Sequence, residues 1–374
     1  MLRRITGVVE SITAERPGAQ ELLVRVDAPA SDESVSLRPA LNLTALTGRI
    51  AIGERVLLNT VAVEMSLGTG GQDFVVTGLD RSGEQEAPPG HILKMRYTPL
   101  QVPVLAVEAQ ESPHHDAIRL FAGLDDLPVV CAELHSQLPA ICAAAHWGIE
   151  RHGSRRPPRI AYIMTDGAAL PLALSRLIPE LKAHGLLAAT ITTGQAFGGD
   201  YEAVNLYSAL AAAKAVVHAD IIVVGQGPGT VGTGTALGFS GIDQGLAINA
   251  AASLGGMPIA VARISFADSR RRHTGLSHHT LTVLTRIARA PALLPLPRLT
   301  PEQNRALNAM LEESGLAENY DPITIDAEQS LQALEARGLS VTTMGRSLHE
   351  ERPFFLAAAA AGLLAAQLVE SRIG

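Results

Sequence analysis

A glycine-rich segment and a cationic segment with several histidines contain most of the residues that could do chemistry in this chain. The first runs from Gln226 to Gly241, and its glycines leave backbone N–H groups open to close approach by a ligand. Successive N–H groups form concavities for anions, so the candidate ligand-binding residues here are Gln226, Gly227, Gly229, Gly232 and Gly234. The segment is not a Walker A loop, because no lysine follows its glycines. A compact loop that binds nothing is the alternative.

The second segment runs from Arg263 to Thr280 and combines arginines, histidines and one aspartate. Guanidinium groups bind phosphate or carboxylate through two parallel hydrogen bonds, which makes Arg263 a candidate anion ligand. Its position after an apolar strand also favours burial with a partner. We assign proton transfer to Asp268 and His278, and ligand binding to His273 and His279.

Ser277 fits the N-cap of a helix that begins with His278. The positive end of a helix disfavours imidazolium, so we expect neutral imidazoles at this position. Adjacent residues on a helix diverge by about 100°, which argues against one ion held by both His278 and His279. We therefore predict no metal site and favour acid–base or hydrogen-bonding roles. Metal ligation together with Asp268 or Asp166 is an alternative that lacks a recognised spacing, and simple helix capping is another.

Two further carboxylates follow predicted strands. Asp166 ends a strongly apolar strand just before Gly167 and is a candidate catalytic base. Asp200 follows a glycine pair and is a candidate ligand-binding residue. Either carboxylate could instead cap the helix that comes next, and the sequence leaves both roles open.

From residue 127 onward the pattern alternates between strand and helix. The candidate strands are Pro128–Leu134, Arg159–Thr165, Leu187–Thr192, Asp220–Gly225 and Pro258–Arg263. The candidate helices are Gln137–His152, Ala168–His184, Tyr201–His218, Ile242–Leu254 and Ser277–Ala290. This order predicts an α/β fold with a doubly wound, mostly parallel sheet. Ligands bind outside the carboxyl ends of such strands, so one cleft should collect Asp166, Asp200, Gln226, Gly229, Arg263 and His278.

The N-terminal part has a different pattern, in which short β-branched segments are bounded by turns. These segments are Ile5–Ile12, Leu22–Val26, Val56–Asn59 and Phe74–Val76. They predict a small β-barrel or sandwich, with a glycine turn at 68–71 and a Pro-Pro-Gly hinge at 86–90. We thus expect a β-rich domain over 1–86, a connecting segment over 87–126 and an α/β domain over 127–374.

Composition restricts the classes of protein. Apolar residues make up 47% of the 374 residues and charged residues 18%, which is enough for a large core and excludes global disorder. A net charge of −7 argues against a dedicated nucleic-acid binder, and two cysteines are too few for a disulfide framework. The longest apolar run, Phe354–Ala366, is shorter than the roughly 20 residues that span a bilayer. We expect no membrane partner, a cytoplasmic location, and either a monomer or a homo-oligomer.

The longest motifs lie in the predicted α/β part, at Ala161–Leu174, Ala196–Asp200, Gly227–Thr235, Leu237–Gly241 and Ser277–Thr280. Shorter ones are Tyr97–Gln101 and His135–Pro139. Through these motifs most of the chain resembles an uncharacterised bacterial family, domain of unknown function family 3866. The resemblance implies no established activity, substrate or catalytic residue.

These features favour an enzyme that binds a small anionic metabolite, phosphorylated or nucleotide-like, and performs hydrolase or transferase chemistry. A non-catalytic ligand-binding or sensor protein with the same pocket is the first alternative. The second is an NADP-dependent oxidoreductase, since Gly227, Gly229 and Gly232 have dinucleotide spacing and Arg263 suits a 2′-phosphate. The dinucleotide fingerprint opens a helix at once, whereas several loop residues precede the helix here. The sequence names no cofactor.

Overall fold

A computed structural model of the chain describes residues 4–27, 36–67, 71–80, 89–151, 153 and 156–373. The chain divides into two compact units, Met1–Leu105 with Ala173–Pro179 and Ala106–Leu172 with Glu180–Gly374. Residues 68–70 of the predicted glycine turn lie outside the described residues, as do residues 86–88 of the hinge and the predicted boundary at residue 86.

The first unit contains a closed five-stranded barrel in the order β1-β2-β3-β5-β4. Its strands are β1 Arg4–Arg16, β2 Ala19–Val26, β3 Ser36–Leu43, β4 Arg55–Asn59 and β5 Asp73–Gly78. All neighbours pair antiparallel except β3 and β5, which run parallel. The short helices α1 Thr44–Thr47 and α2 Val61–Glu64 and the strands β6 Ile92–Lys94 and β7 Val102–Val104 complete the unit.

Alternating apolar residues close the barrel, because every second side chain of a strand points inward. The interior contains Val9, Leu22, Val24, Ala40, Ile50, Val56, Leu58 and Val75. The predicted barrel is thus confirmed, and each predicted β segment falls within or across an observed strand. The sequence analysis missed β3, where Pro39 interrupts the pattern of a strand.

The second unit is built on a six-stranded parallel sheet in the order β11-β10-β9-β12-β8-β13. The strands are β8 Pro128–Cys131, β9 Ile160–Thr165, β10 Ala189–Thr192, β11 Tyr201–Glu202, β12 Ile221–Gln226 and β13 Met257–Ala260. Strands β8, β9, β10 and β12 are buried along their whole length, which explains their uninterrupted apolar sequence. The predicted α/β fold is confirmed.

Helices surround this sheet and a set of short elements follows it. The helices up to the last sheet strand are α3 His115–Arg119, α4 Leu138–Arg151, α5 Leu177–Ala183, α6 Leu206–Ala215 and α7 Asp243–Ser253. After β13 come β14 Ile264–Ser265, β15 Gly275–Leu276, α8 His278–Thr282 and a π-helical turn Val283–Ile287. The rest are β16 Leu294–Pro297, α9 Pro301–Glu313, α10 Leu316–Asn319, β17 Pro322–Ile325, α11 Glu328–Ala336, β18 Thr342–Thr343, β19 Arg346–Ser347 and α12 Arg352–Ile373.

The predicted helix Ala168–His184 is wrong in its first half, because only Leu177–Ala183 is α-helical. Pro171 forms an isolated parallel bridge with Phe197. The N–H of Leu172 donates to the carbonyl of Phe197, and the N–H of Phe197 donates to the carbonyl of Leu170, both at 2.9 Å. These bonds between two loops use the backbone groups that a helix would need.

The C-terminal helix α12 is the longest in the chain that the structure describes, and it packs closely on α4. A Cβ placed on Gly362 would lie 2.2 Å from the carbonyl oxygen of Ile141, so only glycine permits this approach. Residues 352–372 are long and apolar enough to cross a membrane by length and composition, but 78% of their most apolar 18-residue stretch is buried. Burial against α4 accounts for that apolar composition.

Candidate functional site

A short hairpin folds the segment rich in arginine and histidine against the start of α8. Strands β14 and β15 pair antiparallel. Next to them, the N–H of Ser277 donates to the carbonyl of Arg263 at 2.9 Å, and the N–H of Arg263 donates to Oγ1 of Thr280, also at 2.9 Å. The turn between the two strands therefore returns to the helix start, and it brings His273 next to His278.

Three imidazoles meet at this point, those of His273, His278 and His279, which we call the histidine cluster. The ring centroids of His278 and His279 are 4.4 Å apart, and the His273 centroid is 4.9 Å from each of them. One ligand nitrogen from each ring lies within 4.8 Å of the others. The side chains of His278 and His279 were expected to diverge, but their rings lie together. The Cβ direction fixes only the start of a side chain whose ring lies two rotatable bonds further out.

Two members of the histidine cluster, His273 and His278, are neutral at physiological pH because burial and nearby charges lower the pKa of each imidazole. Burial, followed by the charges of Arg263 and Arg270, lowers the pKa of His273 to about 3. Burial, followed by His279 and Arg272, also lowers the pKa of His278. Ser277 Oγ caps α8 by accepting the N–H of His279, and it lies 2.8 Å from Nδ1 of His273. Uncharged imidazoles keep a lone pair that can accept a proton or bind a metal.

A buried carboxylate, Glu133, supports the cluster from the carboxyl end of β8. Its Oε1 lies 2.7 Å from Nδ1 of His279 and 3.1 Å from Nη1 of Arg263. Burial alone would raise the pKa of Glu133, but the hydrogen bond with His279 and the charge of Arg263 outweigh burial and lower it. Because an ionised carboxylate only accepts hydrogen bonds, Nδ1 of His279 is the donor in this contact, and Nε2 takes no part in it.

The end of the glycine-rich segment covers the histidine cluster. The ring of Phe239 stacks on His279, with centroids 3.8 Å apart and planes 4° from parallel. Gln226, the last residue of β12, donates through Nε2 to the carbonyl oxygen of Glu133 at 2.8 Å. The glycine-rich segment therefore lies beside the segment that contains the arginines and histidines, at one edge of the sheet.

The candidate glycines occupy two different environments. Gly227 is buried beside Ala169, and Gly232 forms an antiparallel bridge with Phe239 at the base of the loop. Gly229 and Gly234 have positive φ and face open space in the exposed outer part of the loop. The loop thus pairs Gly232 with Phe239, whose ring stacks on His279, and leaves Gly229 and Gly234 facing open space.

Arg263 and Asp268 belong to a compact set of ion pairs, in which buried charges of both signs alternate. Asp268 receives two hydrogen bonds from the side chain of Arg270, at 2.9 and 2.7 Å. It also lies 4.0 Å from Arg263 and 3.6 Å from Arg346. The hydrogen bonds from Arg270 lower the pKa of Asp268 most, so this carboxylate is a weak proton acceptor. Arg263 already has two anionic neighbours, which reduces its value for an incoming anion.

The neighbouring arginines differ from Arg263 in this respect. Arg271 and Arg272 are exposed, and among the described residues no acidic group pairs with either of them. Arg272 is close enough to His278 for its charge to depress the pKa of that imidazole. Arg272 is therefore a cation beside the cluster that has no acidic partner among the described residues, and Arg271 is its exposed neighbour in the chain.

Asp166 and Asp200 follow other strands of the sheet and have other partners. Asp166 is exposed and accepts the N–H of Gln195 at 2.8 Å. Asp200 pairs with Lys182 at 2.6 Å and accepts two hydrogen bonds from Thr190. In the part of the chain that the structure describes, neither carboxylate hydrogen bonds to the histidine cluster, so the single cleft proposed from the sequence stays a prediction.

Residues 39–362 match the model of one protein family, whose description is Protein of unknown function (DUF3866). The chain belongs to this family. The match includes every residue of the DUF3866 chain that is described above as part of the site, from Glu133 to Arg346. No curated protein and no solved structure matches the DUF3866 chain.

The sequence analysis missed Glu133 and Phe239 in the DUF3866 site. Glu133 is the one charged residue in the run Pro128–Leu134, and an isolated carboxylate in an apolar strand needs a buried partner. That signal was present in the sequence. Phe239 gave no such signal, because a single aromatic residue after a glycine-rich loop has many possible neighbours.

Proposed function

We propose that this DUF3866 protein is an enzyme that acts on a small anionic metabolite, phosphorylated or nucleotide-like, by hydrolysis or group transfer. The site would lie at the carboxyl ends of β8 and β12, with the histidine cluster as its reactive part. One observation carries the proposal. The guanidinium group of Arg272, which has no acidic partner among the described residues, is close enough to the neutral imidazole of His278 to lower its pKa, and the lone pair of that ring is available.

The two kinds of group have complementary chemistry. A guanidinium fork binds phosphate oxygens through charge-assisted hydrogen bonds, and a guanidinium is more weakly hydrated than an ammonium group. A neutral imidazole can take a proton from water or from a substrate hydroxyl during attack on a phosphoryl or acyl group. Phe239, stacked on His279, shields one face of the cluster from water.

The buried ion pairs would hold this arrangement in place. Glu133 fixes the orientation of His279 and is itself held by Arg263, and Asp268 fixes the turn through Arg270. These residues have positioning roles in the proposal, whereas the sequence analysis assigned Arg263 to the anion and Asp268 to proton transfer. The reassignment follows from their partners, because a group paired within the protein binds an external ligand less well.

The proposal is tested first by binding of inorganic phosphate and nucleoside monophosphates, followed by a turnover screen with phosphate and carboxylate esters. Arg272→Gln should weaken binding of a phosphate-bearing ligand by about tenfold or more, the usual effect of one charge-assisted hydrogen bond. Arg286→Gln is the matched control, because Arg286 is also exposed and lies on the turn after α8.

Equal affinity in wild-type protein and Arg272→Gln would remove the anion site from this position. Ligand binding without turnover of any screened ester would instead favour the non-catalytic ligand-binding function.

A further inference from the structure

We infer that His273, His278 and His279 bind one divalent transition-metal ion of the zinc class and leave a coordination position open. The inference deepens the proposed function, on which it rests only for what the ion does once bound. Binding of the ion itself follows from the geometry of the three imidazoles. Their ligand nitrogens already lie within 4.8 Å of one another.

The first support is an orphaned nitrogen. Nε2 of His278 is buried and has no hydrogen-bond partner among the described residues. An unpaired buried polar atom costs about 1–3 kcal/mol, and folded proteins seldom leave one without a reason. A metal ion between the three rings would satisfy this nitrogen.

The second support is the set of groups behind the imidazoles. Glu133 accepts the Nδ1–H of His279, which leaves Nε2 of that ring to bind a metal. Ser277 Oγ lies 2.8 Å from Nδ1 of His273 and can accept its proton in the same way. Metal-binding histidines typically donate their other N–H to a carboxylate or another oxygen, which fixes the tautomer and orients the ring.

The third support is how compact the cluster is. The centroids of the three rings lie between 4.4 and 4.9 Å from one another. Zinc–nitrogen bonds of about 2.0–2.1 Å place ligand nitrogens about 3.3 Å apart. The ligand nitrogens of the three rings lie within 4.8 Å of one another, so any two need to approach by no more than about 1.5 Å. Side-chain rotation of two rings supplies a movement of this size.

The ligand set indicates both the kind of ion and its role. Imidazole nitrogens suit zinc, copper, iron and nickel, whereas magnesium and calcium prefer oxygen ligands. Three histidines with a fourth position open to water form the ligand set of catalytic zinc sites. An ion there would lower the pKa of its water and bind an anionic oxygen next to Arg272.

The test uses tag-free, full-length protein stripped with a chelator and titrated with Zn²⁺ by calorimetry. We expect one Zn²⁺ per chain, with a dissociation constant of about 1 µM or tighter. Co²⁺ should give the intense visible absorption of a tetrahedral site. His278→Ala and His273→Ala should each weaken binding by more than the roughly 10–100-fold typical of an outer-shell partner.

Two further variants complete the test. Glu133→Gln should weaken Zn²⁺ binding by roughly 10–100-fold and change the Co²⁺ spectrum, because it alters the partner of a ligand and not a ligand itself. His184→Ala is the control, since His184 is exposed and outside the cluster. Circular dichroism shows which variants remain folded, and the Co²⁺ spectrum of wild-type protein gives an answer even when a variant does not fold.

Absence of saturable one-to-one binding to wild-type protein would overturn the inference, as would equal affinity in His273→Ala, His278→Ala and wild type. Tight binding of Zn²⁺ without turnover of any substrate would support the metal site and count against the proposed enzyme. Turnover by the stripped protein that added Zn²⁺ does not change would support the enzyme and count against the role of the ion.

Discussion

Glu133 and Arg263 form an ion pair from which water is almost excluded, with side-chain exposures of 0% and 5%. Removing two charges from water costs several kcal/mol per ion, and only close partners offset this cost. Each group has a second partner, which is His279 for Glu133 and Asp268 for Arg263. The pair is therefore stable as a unit and sensitive to the loss of either member.

We predict that Arg263→Met destabilises the protein by about 3–5 kcal/mol at neutral pH, because it leaves Glu133 buried without its cation. Urea unfolding measures the change. Arg298→Met is the control and should cost about 0–1 kcal/mol, since Arg298 and its partner Asp326 are both exposed.

The double variant Arg263→Met with Glu133→Gln should recover part of the loss, because it removes the uncompensated charge. An Arg263→Met protein as stable as Arg298→Met would show that the buried pair has no such importance.

At the level of single residues, the sequence indicated the types of group in the site but not their partners. Burial of Arg263 with a partner was expected from its place after an apolar strand, and the structure has this arrangement. The partner is Glu133, which is 130 residues away in the chain. No local pattern connects the two, so only the sheet order, with β8 next to β13, brings them together.

At the level of elements, the long periodic segments were predicted well and the short ones were not. The apolar runs of β8, β9, β10, β12 and β13 predicted the parallel sheet, because buried strands have unbroken apolar sequence. β14 and β15 have two residues each, too few for any period to be visible. That hairpin positions His273, so the histidine cluster could not be predicted from periodicity.

The contact between α4 and α12 gives a prediction about elements. Replacing glycine by alanine within a helix normally stabilises it by up to about 1 kcal/mol. Gly362→Ala should have the opposite effect and destabilise the protein by about 1–3 kcal/mol, because the new methyl group would meet the carbonyl oxygen of Ile141. Thermal and urea unfolding measure the sign of the change.

Gln367→Ala on the exposed side of the same helix is the control, and it should change stability by less than about 0.5 kcal/mol. A stabilising Gly362→Ala would mean that the two helices are further apart than described.

At the scale of the whole molecule, the second unit buries neutral histidines outside the histidine cluster. Burial lowers the pKa of His135 to about 4. Nδ1 of this buried histidine lies 3.1 Å from the hydroxyl oxygen of Tyr162. Burial, followed by the charge of Arg337, lowers the pKa of His146 on α4 to about 4 as well. Both side chains regain an ordinary pKa of about 6.5 when the chain unfolds, so the unfolded state binds more protons in acid.

Stability should therefore be complete above pH 6.5 and decrease as the pH falls from about 6.5 to about 4, where these histidines stay neutral only in the folded state. His146 alone should account for a loss of up to about 3 kcal/mol across this interval. His146→Leu should remove that part of the pH dependence, whereas His184→Leu, at an exposed position, should leave it unchanged. Trp147, the single tryptophan, lies next to His146 on α4, and its fluorescence follows urea unfolding of this unit at each pH. If His146→Leu lost stability in acid as steeply as wild-type protein, protonation of His146 would not contribute to the acid sensitivity of the fold.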